Sequence, residues 1–295
     1  MSCGRTVGRL YPCGNRSYNL GSRILRAAQS AAYAKGLIRM KVMESVLAAA
    51  QSSLAGSTIK DIAVGISLIS VQLSDDNVGV AYVVREHLPA GCSVFSYVQE
   101  ALGRPAEEIA AWALNGGDDL QRGVGLAVLS AAAQKQTLQD DVRREVPFGL
   151  KITEKDTVGM VGYLPPVANP IIGRCGKMII FDEGLSRMGE NVLLSAMEEQ
   201  PKLLPECDVV LLSGSSAANG TLDGLLGLCA KAREVVLIGA STPMFPGGFA
   251  GTPVTRLAGS VWMNDKKNEI FRLVTLAGGI FHTRRFMKKK LALVE

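Results

Sequence analysis

Only two histidines occur in this chain, His87 and His282, and none of its six cysteines is paired as CxxC. A structural zinc site needs close-spaced nitrogen or sulfur ligands, so none is expected, and nothing suggests a disulfide framework. No GxSxG elbow is present and no histidine stands in a recognisable partner position, which argues against a serine-hydrolase triad. The dinucleotide fingerprint GxGxxG is incomplete around Gly159 and Gly162, so a nicotinamide cofactor is not implied. Aromatic residues make up only 5% of the chain, which leaves Val, Leu, Ile and Ala to build the core. No apolar run is long enough to span a bilayer.

Acid is absent from one stretch. Residues 1–39 hold six Arg and one Lys but no Asp or Glu, and supply +7 where the whole chain carries +5. The remaining 25 basic and 27 acidic residues nearly cancel, so the body has no global electrostatic reason to bind nucleic acid. Its one basic cluster, Arg284, Arg285, Lys288, Lys289 and Lys290, reads as a solvated helix end. The composition of the leader is shared by transit peptides and by over-extended gene starts, with Met40 and Met43 lying where a helical pattern begins. Either origin puts residues 1–39 outside the fold.

What is present is a 47% hydrophobic, 20% charged chain with enough apolar residues for a substantial core. Cys207 and Cys229 read as small core residues, which suits a reducing, cytoplasmic setting. A first α+β unit is expected over residues 40–135. Val42, Val46, Ala49, Ala50 and Leu54 form a helical stripe ended by Gly56. Ile62 to Leu68 alternate as a strand, and the phase slips to Ile69, Val71 and Leu73, which suggests a bulge. Asp75-Asp76-Asn77 turns the chain into a second strand, Val78 to Val84. Helices are expected near Ser93–Leu102, after Pro105, and from Asp119 to Lys135, the last so rich in Gly and Ala that it must pack closely. Residues 136–152 read as a linker broken by Pro147 and Gly149.

Residues 153–295 alternate strand and helix. Apolar strands are expected at Val158–Val161, Lys177–Phe181, Asp208–Leu212, Glu234–Ile238 and Ser260–Met263, with helices near Asn191–Glu199 and Leu222–Ala232. Repeated βα units with fully apolar strands imply a parallel sheet. In such a sheet the strand ends share one rim, and here they read Gly162-Tyr163, Asp182-Glu183, Ser213-Gly214-Ser215-Ser216, Gly239-Ala240-Ser241-Thr242-Pro243 and Asn264-Asp265. Glycine allows close backbone approach there, while hydroxyls, amides and carboxylates orient a ligand. Turn chemistry alone would explain one such loop; four in the same topological position favour a ligand site. Glu183, ahead of Asp182, reads either as an acceptor for ribose hydroxyls or as a solvated loop carboxylate. Asn219 or Thr221 is expected to cap the helix that follows the third strand. The serines read as binding hydroxyls, and Tyr163 as a stacking platform or a lid on Pro165.

The segments VGMVGYLPP, DVVLLSGSSAANGTLDGLL, VVLIGASTPM, LAGSVW and LAGGIF, in this order and spacing, resemble a bacterial and archaeal family labelled as heavy-metal chelation proteins. The resemblance covers roughly residues 40–287. It implies an enolase-N-terminal-like α+β domain followed by a Rossmann-like domain, with a pocket between them. It also implies roles in condensation or hydrolysis of pterin-, flavin- or siderophore-like chelators, or in heavy-metal handling. Gly162, Glu183, Ser213, Ser215, Asn219, Thr221, Ser241, Thr242 and Pro243 match its motif positions, and Tyr163 joins them as a ligand-facing residue. With so few metal-ligating side chains, the expected partner is a small organic metabolite or chelator; no metal site is expected in the chain. Neither nucleic acid nor membrane is expected as a partner, and self-association into a homo-oligomer stays open. The rival readings are an adenosyl-methionine methyltransferase, a non-catalytic carrier of a metal–chelator complex, and a scaffold.

Overall fold

Val42, Val46, Ala50 and Leu54 fall on one stripe, and in the computed structural model they are the buried face of helix α1, Val42–Leu54. The structure describes residues 42–85, 88, 95, 97–142, 145–186 and 194–295. Gly56 closes α1 at a φ of +73°. Three antiparallel strands follow in the order β1 (Ile59–Val64), β2 (Leu68–Leu73) and β3 (Val78–Tyr82). The sequence suggested a single bulged strand over Ile62–Leu73. The change of phase is instead a reversal of the chain at residues 65–67, with the one register shift of the β1–β2 pair between Ile59 and Asp61. Gly65 opens the reversal, its N–H donating to the Leu68 carbonyl at 2.8 Å, and the turn packs so tightly that a Cβ there would lie 2.1 Å from the Val274 carbonyl oxygen. β2 is buried along its whole length because it is the central strand with packing on both faces.

Helical turns at Tyr97–Glu100, Ala106–Ala110 and Trp112–Asn115 lead to α2, Asp119–Ala132. Asp118 caps α2 by accepting from the Gln121 N–H at 2.7 Å. The small residues do what their crowding suggests. A Cβ at Gly125 would strike the Ala113 nitrogen at 2.2 Å, and one at Gly79 of β3 would meet the Ala127 carbonyl at 2.1 Å. His87 and part of the expected helix near Ser93–Leu102 lie outside the described residues.

The second sheet has seven strands in the order β4-β10-β9-β8-β7-β5-β6, with β4 Gln139–Asp140, β5 Thr157–Val161, β6 Lys177–Phe181, β7 Val209–Ser213, β8 Glu234–Ile238, β9 Arg256–Trp262 and β10 Met287–Leu293. β5 to β9 are mutually parallel, β10 is antiparallel to β9, and β4 to β10. The five expected strands are all present, with β9 starting four residues earlier than its apolar end indicates. β10 is a correction. The sequence suggests a solvated helix end for its lysines, but Lys288 and Lys289 are exposed on a strand between β4 and β9, while Lys290 pairs with Asp140 at 2.7 Å and Leu291 is buried.

The connections are α3 (Pro165–Ile172) after β5, α4 (Ser215–Ala218) and α5 (Leu222–Leu228) after β7, and α6 (Lys267–Thr275) after β9. Between β6 and β7 the described residues form short turns at Met197–Glu199 and Gln200–Leu203; residues 191–193 of the expected helix lie outside them. The stretch 136–152 supplies β4 and buries Phe148 and Leu150 in the core that includes Val158 and Val209. Another apolar cluster runs from Val46, Ile69 and Leu126 to Val210, Leu237 and Phe249, so both sheets share a core. Residues 40–295 accordingly form one compact unit. Cys207 and Cys229 lie in that core, where burial pushes their thiols up to about 11 and about 12. No helix among the described residues is long and apolar enough to cross a membrane.

Candidate functional site

The parallel strands all end at one edge of the seven-stranded sheet. From β5 the chain crosses first to β6 on one side, and β7 then takes the other side. The ends of β5 and β7 therefore flank a topological switch point, where open α/β sheets leave a crevice. Gly162 stands there at a φ of +85°, and its N–H donates to the Phe181 carbonyl at 2.7 Å. A Cβ on Gly162 would lie 2.7 Å from the Cβ of Ser213. No larger residue fits without moving that serine.

Ser213 Oγ lies 2.8 Å from Ser215 Oγ, a hydroxyl pair at the end of β7, and both residues are half-buried. On the β5 side the Tyr163 N–H donates to Asp182 Oδ2 at 2.7 Å, and the Leu185 N–H donates to Asp182 Oδ1 at 2.8 Å. Asp182 thus ties the loops after β5 and β6 together. Glu183, ranked above it from the sequence, begins the next turn and is half-buried.

The loops after β7 and β8 touch through Gly214, whose N–H donates to the Ile238 carbonyl at 2.7 Å and whose missing Cβ would lie 2.6 Å from the Thr242 nitrogen. Ser241, Thr242 and Pro243 are buried at this junction. Ser241 Oγ accepts from the Tyr82 N–H at 2.8 Å, joining the rim to the end of β3. Asn264, past β9, serves the same seam: its Oδ1 accepts from the Val78 N–H at 3.0 Å and from Gln134 Nε2 at 2.9 Å, and its Nδ2 donates to Asn77 Oδ1 at 3.0 Å.

Asn219 and Thr221 stand one helical turn beyond the serines. Asn219 Oδ1 accepts from Thr221 Oγ1 at 2.7 Å and from the Thr221 N–H at 3.2 Å. The expected side-chain cap of α5 is not made: Thr221 occupies the N-cap position, but its hydroxyl is turned to Asn219. Residues 215–218, read as loop, wind into α4. His282 accepts from the Gly279 N–H in the turn Ile280–Thr283, away from the serine pair in the chain.

One residue at the rim was missed. Arg122 of α2 donates through Nε to the Ala218 carbonyl at 2.6 Å and through Nη1 to the Gly116 carbonyl at 2.7 Å, and it pairs with buried Asp119. The available signal was a lone cation in a helix dominated by Gly, Ala, Val and Leu. Hydroxyls, backbone amides and one carboxylate bridge make the rim suited to binding and orienting. Among the described residues no cluster of three or more His, Cys, Asp or Glu side chains is placed to hold a metal ion.

A family model described as "Putative heavy-metal chelation" matches residues 146–293, and a second model with the same description matches residues 47–133. A protein of unknown function from Pyrococcus horikoshii superposes with a TM-score of 0.71 at 19% identity, covering 86% of this chain and 100% of that one. A protein of unknown function from Desulfitobacterium hafniense gives a TM-score of 0.67 at 19% identity, covering 85% of this chain and 98% of its own. Both likenesses concern the fold. An uncharacterized protein of Methanocaldococcus jannaschii is 28% identical over 144 residues, 48% of this chain. That alignment spans about half (54%) of the relative's length.

Proposed function

The chain belongs to the family described as "Putative heavy-metal chelation", and from that premise we propose that it binds a small polar metabolite at the strand-end crevice and acts on it by condensation or hydrolysis. The metabolite is nucleotide-, pterin-, flavin- or siderophore-like. Heavy-metal chelation then refers to an organic chelator or its precursor, handled through hydroxyls and amides. One observation carries the reading. At the switch point Gly162 holds a left-handed conformation with Ser213 pressed against it, and Ser213 and Ser215 present paired hydroxyls. A glycine held in a conformation closed to other residues, under close packing, is characteristic of places where the backbone approaches a ligand. Tyr163 and Glu183 adjoin the switch from β5 and β6, while Asn219, Thr221, Ser241, Thr242 and Pro243 complete the proposed ligand-binding set.

Calorimetric titration with nucleotides, adenosyl-methionine, pterins, flavins and a catechol chelator tests the reading. Binding by at least one of them, weakened about tenfold by Ser213→Ala, is expected for a lost hydrogen bond. Silence across the panel from folded protein would overturn it. A second reading, an adenosyl-methionine-dependent methyltransferase, is favoured by Glu183, two residues past β6, where an acidic residue commonly meets a ribose. It requires adenosyl-methionine binding that Glu183→Ala abolishes, and unchanged affinity removes it.

A further inference from the structure

Four buried side-chain polar atoms among the described residues have no hydrogen-bond partner: Ser70 Oγ, Ser216 Oγ, Thr242 Oγ1 and Trp262 Nε1. Folded proteins rarely leave such groups unpaired, and those that persist call for a functional explanation. These four are not scattered. Trp262 is the last residue of β9, Ser216 lies three residues past β7, and Thr242 lies four past β8. Three neighbouring strand ends therefore each contribute one.

The fourth stands opposite. Ser70 belongs to β2, where it pairs across the sheet with Ala63 and Val80. Those two residues share an apolar cluster with Trp262 and with Ala240 of the β8 loop. Ser216 and Thr242 are joined through Gly214, whose missing Cβ would lie 2.9 Å from Thr242 Oγ1. The four thus form two pairs, Ser70 with Trp262 and Ser216 with Thr242, linked by the β8 loop that carries Ala240 and Thr242, along the seam where Ser241 of that loop holds Tyr82 of β3. Their neighbours along that seam have partners: Ser241 holds the Tyr82 N–H, and Asn264 holds the Val78 N–H.

We propose that this seam is a second arm of the binding crevice, in which Ser216, Thr242 and Trp262 hydrogen-bond an uncharged, acceptor-bearing edge of the ligand, such as a lactam or carboxamide. The inference rests on the switch-point reading above and adds the ligand's class to it. An indole N–H can only donate, so the ligand must offer an acceptor to Trp262; the two hydroxyls donate or accept as required. None of the three carries charge. Arg122, the cation at the rim, is occupied by Ala218, Gly116 and Asp119. A neutral carbonyl is therefore favoured over phosphate or carboxylate. Ligand entry requires the seam to part, because Ser216 and Thr242 are each at most 3% exposed.

Titration calorimetry with lumazine, an uncharged pteridine lactam in mildly acidic buffer, and with inorganic phosphate separates the outcomes. The proposal expects lumazine to bind and phosphate to give no heat. Thr242→Val, Ser216→Ala and Trp262→Phe should each weaken lumazine about tenfold, and the Val and Ala variants should melt no lower than the parent, since they delete an unpaired group. Lumazine binding that falls with Ser213→Ala but not with Ser216→Ala or Trp262→Phe would overturn the second arm and leave the switch-point site standing. Another ligand binding while lumazine does not has the same consequence, as does a lowered melting point with unchanged affinity, the mark of hydroxyls satisfied by fixed water. Silence from every ligand overturns both readings.

Discussion

Gly162 concentrates the argument at the level of single residues, because its φ of +85° and its contact with Ser213 both exclude a side chain. Gly162→Ala should therefore cost about 1–3 kcal/mol in urea unfolding and remove ligand binding measured by calorimetry. A stable variant that still binds would show that the close approach serves nothing. Asp156, at the opposite edge of the sheet, gives a prediction about pH. Hydrogen bonds from Arg233 hold its carboxyl down at about 2 against an ordinary 3.8, outweighing burial. A depressed carboxylate adds stability above the unfolded-state value and loses it as pH falls through the folded one. Asp156→Asn should thus cost about 1–2 kcal/mol at neutral pH, discounted because Arg233 is half exposed, and should flatten the stability loss between about pH 4 and pH 2. Acid titration of chemical unfolding checks both parts; an unchanged acid limb would refute the assignment.

Among elements, the joint between α2 and α4 matters most for the site. Arg122 is the clamp, donating to the Ala218 carbonyl at the end of α4 and standing beside buried Asp119. Arg122→Ala should cost about 2–3 kcal/mol, since it strips the cation from a largely buried pair. It should also speed amide exchange across residues 215–219, read by hydrogen–deuterium exchange. Exchange that quickens only in α2 would mean that Arg122 does not hold the rim. The lone cation was visible in the sequence but its role was not, because the partner across the joint, Ala218, lies far along the chain and offers only a backbone carbonyl. The parallel strands were legible for the opposite reason: Val209–Leu212 and Val235–Ile238 are unbroken apolar runs, which a strand buried on both faces requires. β10 was not, because Lys288, Lys289 and Lys290 are a strand only by virtue of pairing with β9. The reversal at residues 65–67 was likewise mistaken for a bulge, since Ile62 to Leu73 show the same change of phase either way.

For the whole molecule, the two sheets are joined by hydrogen bonds from β3 to the loops after β8 and β9, on the same rim as the switch point between β5 and β7. The sequence indicated that glycine- and hydroxyl-rich loops share one edge, because parallel βα units leave no other arrangement. It could not show that Ser241 and Asn264 spend their polar groups on β3, nor that Ser216, Thr242 and Trp262 keep theirs unpaired, since both facts belong to the fit between the halves. The central claim is that one rim of the parallel sheet is where a metabolite is held. Backbone amide NMR during titration with the best-binding compound tests it most directly. The account predicts the largest shifts at Gly162, Tyr163, residues 213–216, Ser241 and Thr242; shifts confined to the far edge, around Asp156, Asp208 and Arg233, would contradict it.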